Sequence, residues 1–249
     1  MKSKLSLKCV LLLLSLVFIS SHAFAQLKKG TFLTEANFGD LYYSQSASKY
    51  VSGGIQSAKY KGNYLSFSLY PTVGIFLTER FVLGAELDIL YSSSKSTSFD
   101  KNDIKSSKSN SSSLSLGLLP FGRYYFWKSG DEKSMFYAQL GGGIYGNITR
   151  KNEYTAFNTS GEESYKTKYD YPKKYNSLSG NVMVGWNRFL TENIAFNVNL
   201  GYEYTKTAET YKFTTTSDLS STTSSEFKST YTSGNIRWGL GLTMFIPRK

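Results

Sequence analysis

Apolar and polar residues alternate along much of this chain. Over residues 65–77 the odd positions are Leu65, Phe67, Leu69, Pro71, Val73, Ile75 and Leu77, and the even ones are Ser66, Ser68, Tyr70, Thr72, Gly74 and Phe76. Successive side chains of a strand point to opposite faces, so a period of two marks a strand with one continuous apolar face. The same pattern predicts strands over residues 32–38, 81–91, 114–126, 136–146, 178–186, 194–204 and 236–244. That makes eight. No charge falls on their apolar faces; Glu35, Glu86, Asp88, Arg123, Glu203 and Arg237 all sit on the opposite one.

The connections alternate between short and long, which gives the set a polarity. Residues 78–80, 128–134 and 191–193 make short turns. Residues 40–63, 92–113, 147–177 and 205–233 make long polar excursions, and 11 of residues 92–113 are Ser. Four structureless loops of that size sit badly in a compact soluble domain. They are expected of an outer-membrane barrel, whose periplasmic turns are short and extracellular loops long. The fold predicted is therefore all-β: an eight-stranded antiparallel up-and-down transmembrane β-barrel.

Alternation alone leaves open which face looks outward, and a soluble lipocalin-like barrel is the inverse solution. Three features favour the apolar face outside. Glycines gather on the polar face (Gly74, Gly84, Gly117, Gly141, Gly143, Gly185, Gly201, Gly239 and Gly241), where the crowded interior of a small barrel needs them. The six charges on that face are of both signs, as a packed lumen requires. Apolar faces also tend to end in aromatics such as Phe81, Tyr91, Trp186 and Tyr204, as interfacial girdles do.

The first residues stand outside this pattern. Lys2, Lys4 and Lys8 precede an apolar run over residues 9–19, and Ala23-Phe24-Ala25 follows. The order is that of an export signal, with residues 1–25 removed and residues 26–249 forming the barrel domain. A run of eleven residues, interrupted by Ser15, is too short for a spanning helix. The formal net charge is +11, or +8 without the three leader lysines. The only Cys and the only His, Cys9 and His22, both lie in the leader. The mature chain then has no thiol nucleophile, no disulfide, no His base and no Cys/His metal site.

Leu118-Leu119-Pro120-Phe121-Gly122-Arg123-Tyr124-Tyr125-Phe126 and the aromatic-ended Trp238-Gly239-Leu240-Gly241-Leu242-Thr243-Met244-Phe245 resemble the small outer-membrane barrels typified by OmpA and OmpX. The resemblance covers nearly all of the mature chain. It implies insertion by the barrel assembly machinery and a place in the outer membrane of a Gram-negative cell. It implies no catalysis, since the enzymes built on this architecture use a His.

The six lumen charges are expected to form a structural salt-bridge network rather than a catalytic acid pair. Lys95, Lys101, Lys105, Lys108, Lys166, Lys168, Lys173 and Lys174, in the long excursions, are candidate contacts for lipopolysaccharide phosphates. Gly141-Gly142-Gly143 lies mid-strand with no helix after it and is no phosphate loop. No cofactor, metal or nucleic acid is expected, and the barrel is expected to be a monomer. Three functions stay open: a non-enzymatic surface-interaction protein (adhesion or envelope protection), a narrow conduit for small solutes, and a soluble ligand-binding barrel.

Overall fold

A computed structural model describes residues 27–52, 55–130, 133–171, 175–217 and 220–248. The leader and its cleavage point lie outside these, as do Lys173 and Lys174. Nine strands follow one another: β1 (Phe32–Ser52), β2 (Ile55–Phe76), β3 (Phe81–Asp100), β4 (Lys105–Lys128), β5 (Ser134–Phe157), β6 (Glu163–Asp170), β7 (Tyr175–Phe189), β8 (Ile194–Ser217) and β9 (Ser220–Ile246). All pairings are antiparallel, and the ring β1-β2-β3-β4-β5-β7-β8-β9 closes back on β1. β6 takes the place of β7 further out, between β5 and β8, so eight positions define the wall.

The outward and inward faces fall as the alternation predicts. Leu140 is 71% exposed, Val184 55% and Leu242 54%, whereas Glu86 is 2% exposed and Arg123 fully buried. A soluble barrel would reverse these values.

The polar excursions are a correction. They were expected as long loops, but the structure continues the strands through them. β4, β5 and β8 are each 24 residues long and β9 is 27. A tilted spanning strand needs only about 9–11 residues, so more than half of these strands forms arms beyond the apolar belt. Serine, threonine and lysine on both faces erase the contrast that a period of two is read from, while the backbone ladder needs no such contrast. Two of the arm tips are tight turns. Asp100 Oδ1 accepts from the Asn102 and Ile104 amides, both at 2.8 Å. Asn158 Oδ1 accepts from Ser160 and Glu162 at 3.0 and 2.9 Å, ahead of Gly161 at φ +83°.

The other end of the barrel has the short turns. Thr78 Oγ1 accepts from the Phe81 amide at 3.0 Å, and Thr191 Oγ1 from the Ile194 amide at the same distance, so two turns share one local solution. Inside this end sits the apolar core: Leu33, Phe76, Val82, Tyr125, Met135, Phe189 and Phe245 pack together. The rings of Phe76 and Tyr125 stack at 5.6 Å, and those of Phe189 and Phe245 lie 5.1 Å apart.

Among the described residues the β1–β9 ladder runs from Phe32↔Ile246 to Phe38↔Leu240, ending at a bulge in β1. Ring closure is therefore confined to the turn-end half. The facing edges of the two arms need water as their hydrogen-bond partner.

Candidate functional site

The lumen is built in layers. Above the aromatic floor, Arg123 of β4 reaches across to Glu35 of β1 with two hydrogen bonds, 2.8 and 3.1 Å, and both side chains are fully buried. Gln139 accepts from Arg123 Nε at 2.8 Å, and Thr243 donates to Glu35 at 2.9 Å. The Tyr137 ring lies under the guanidinium, 4.0 Å from its carbon. Tyr137 fits because Gly185 faces it: a Cβ there would strike the ring.

The next layer joins Arg237 of β9 to Glu86 at 2.7 Å and to Asp88 at 3.2 Å, both on β3. The Tyr70 ring stacks 3.8 Å from the Arg237 guanidinium. Tyr145, seated against Gly117, bonds Asp88 through its hydroxyl and lies 2.7 Å from Glu203. A buried charge must be paired and hydrogen-bonded to be tolerated, and each arginine has both.

Five of the six predicted lumen residues thus form two groups, Glu35 with Arg123 and Glu86 with Asp88 and Arg237. Glu203, the sixth, meets the upper group through the Tyr145 hydroxyl that also bonds Asp88. Its hydrogen bonds come from two hydroxyls, those of Tyr145 and of Ser179 (2.6 Å), and it forms no ion pair among the described residues. Register decides this, because cross-strand pairing sets Glu203 opposite Asn181 and Asn235, not opposite an arginine.

Above Glu203 the lumen opens into a cavity of about 440 Å³ facing the arms. Its walls are mostly serine, threonine and asparagine, with Tyr145 and Glu203 toward its inner end. At its rim Arg150 pairs with Glu209, and the Tyr171 ring stacks 4.2 Å from the guanidinium. Tyr231 donates to the same Glu209 at 3.0 Å. Burial pushes the Tyr171 hydroxyl above its ordinary pKa, while Arg150 pulls it back. The Arg150–Glu209 pair was not anticipated from the sequence. Thr149 and Arg150 stand next to a register shift between β4 and β5, which hides their facing from simple counting.

The predicted lysines part company. Lys95, Lys101, Lys108 and Lys168 are exposed. Two others are engaged by the protein: Lys105 lies over the Phe157 ring at 3.9 Å, and Lys166 pairs with Glu153 at 3.5 Å. Each of these two has a neighbour on the adjacent strand.

Among the described residues no group of three or more His, Cys, Asp or Glu side chains is arranged to hold a metal ion. Gly141, Gly142 and Gly143 lie within β5, opposite Asn181, Gly180 and Ser179 of β7.

No family model matches the sequence, and no curated protein matches it. Among solved structures the chain is similar to the outer membrane protein OprG from Pseudomonas aeruginosa, at 15% identity and a TM-score of 0.44, covering 90% of this chain and 100% of that one. It is also similar to the outer membrane protease OmpT from Escherichia coli, at 9% identity and a TM-score of 0.30, covering 87% and 97%. The CymD monoaromatic hydrocarbon channel matches at 9% identity and a TM-score of 0.23, covering 95% and 92%. These are distant likenesses, and the closed eight-position ring rests on this chain's own strand pairing.

Proposed function

We propose that this chain is an integral outer-membrane β-barrel whose lumen is closed to passive solute flow and whose long arms work, without catalysis, at the cell surface. The observation that carries this reading is the inverted partition of the wall: leucines and valines outward, paired charges and tyrosines inward and buried. In hydrocarbon every backbone polar group must find an internal partner, and a closed barrel is one of the two structures that achieve this. The leader-like start and the aromatic-ended last strand fit export and outer-membrane assembly. Exposed Lys95, Lys101, Lys108 and Lys168 fit contacts with lipopolysaccharide phosphates outside the belt.

The conduit reading has the outward cavity in its favour. Against it stand two layers of ion pairs and the aromatic floor, with Tyr70, Phe76, Phe121, Tyr125, Tyr137 and Tyr145 all buried inside. A surface role suits the arms, which carry facing aromatics such as Tyr154 with Tyr165 and Tyr211 with Phe227. A non-enzymatic role suits a chain with neither His nor Cys after residue 22.

Heat-modifiable gel migration of the refolded protein, followed by planar-bilayer recording, tests the barrel and its closed lumen. Expected are a folded form that runs apart from the boiled one and a bilayer without reproducible conductance steps. Regular steps would overturn the closed lumen. Release of the protein from membranes by a carbonate wash would overturn integral insertion.

A further inference from the structure

The outward cavity has a chemical bias that a structural lumen does not require. Wall hydroxyls spend their protons on neighbouring side chains: Ser111 donates to Asn152 at 2.6 Å and Ser115 to Asn147 at 2.7 Å. A hydroxyl that has donated keeps two acceptor lone pairs. The wall therefore offers hydroxyl lone pairs as acceptors and asparagine amides as donors.

Glu203 adds a carboxylate at the inner end. Both hydroxyls that reach it converge on Oε1, leaving Oε2 without a protein partner among the described residues. Tyr145 lies against Asp88 as well as Glu203, and one phenolic proton can serve only one of the two. The Asp88 oxygen that meets Tyr145 already faces Arg237 Nη1 at 3.2 Å, so Glu203 Oε2 is the acceptor still open to a donor. Arg150 does not supply it, being paired with Glu209 at the rim, and Arg237 is paired with Glu86 and Asp88 beneath.

We propose that this cavity binds a small hydroxylated ammonium ion of the amino-sugar class, its –NH₃⁺ on Glu203 and its hydroxyls on the serine and asparagine wall. The cavity volume exceeds what one such ring needs, and its opening toward the arms gives entry from outside. The inference rests on the barrel reading of the lumen, but heat-modifiable migration reports on that reading separately.

The test is calorimetric titration of the full chain refolded in lauryldimethylamine oxide, a detergent without a sugar headgroup. Glucosamine is the probe, with glucose and N-acetylglucosamine as uncharged controls. Glucosamine is expected to saturate one site and to bind about tenfold tighter than either control, the size of one charged hydrogen bond. Glu203→Gln keeps an acceptor for Tyr145 and Ser179 and should remove that preference while migration stays unchanged. Ser233→Lys, which sets a competing ammonium in the cavity wall, should remove glucosamine binding altogether. Equal affinity for glucosamine and glucose, no saturable binding by a correctly migrating barrel, or retention of the preference in Glu203→Gln would each overturn the proposal.

Discussion

The turn-end half of the barrel and its arms use the same backbone ladder but different means of holding it. In the turn-end half each strand has one face in contact with the belt and one packed into the lumen. Arg123, Tyr137, Phe76 and Val82 are all 1% exposed or less. In the arms of β1 and β9 the described side chains are exposed on both faces of long stretches, such as residues 40–43 and 225–232. Burial holds the first region, and cross-strand hydrogen bonding holds the second. A change inside the lumen should therefore cost several times more than one on an arm.

The largest effect is expected for Arg123→Ala. It leaves the fully buried Glu35 carboxylate without its cation, a loss of about 3–5 kcal/mol. Chemical unfolding in detergent or lipid measures it, and a cost below 1 kcal/mol would deny the lower layer its role in the fold. Leu87→Arg comes next, at about 2–4 kcal/mol for a charge on the lipid face near midplane. Its neutrality would mean that this face does not meet hydrocarbon.

Gly185→Ala should destabilise by about 1–3 kcal/mol, because the new methyl displaces the Tyr137 ring from beneath Arg123. If Tyr137→Leu were then to rescue Gly185→Ala, the loss would be traced to the ring. Smallest of all should be Lys108→Ala and Lys166→Ala, each within about 0.5–1 kcal/mol, since one is exposed and the other belongs to an exposed ion pair. An arm substitution as costly as Arg123→Ala would erase the difference between the two regions.

The contrast between the halves also explains what the sequence made legible. Where leucine alternates with serine or glycine, as over residues 65–77 and 114–118, facing could be read residue by residue. Where serine follows serine, as at residues 92–94 and 111–113, no facing can be read, and the arms looked like loops. Thr205, Thr207, Tyr211 and neighbouring threonines carried a weak strand signal of another kind, through β-propensity. The candidate site divides in the same way. Five of the six lumen charges join ion pairs. The pairing of Glu35 with Arg123 spans 88 positions and that of Glu86 with Arg237 spans 151, distances that no local pattern encodes. Tyr145 could be placed inside from the alternation over residues 136–146, whereas Arg150, at the rim of the cavity, had no marker beyond its residue type.

By itself the order of residues determined the number of spanning strands, which face of each is apolar, and that every strand charge lies on the other face. Those properties are local, because a strand's side chains alternate whatever lies beside it. Only the closed ring decided which carboxylate meets which arginine, that Glu203 meets none, and that the lumen is filled at one end and open at the other. Such outcomes depend on register around all eight positions, where a single bulge moves a side chain from one neighbour to the next.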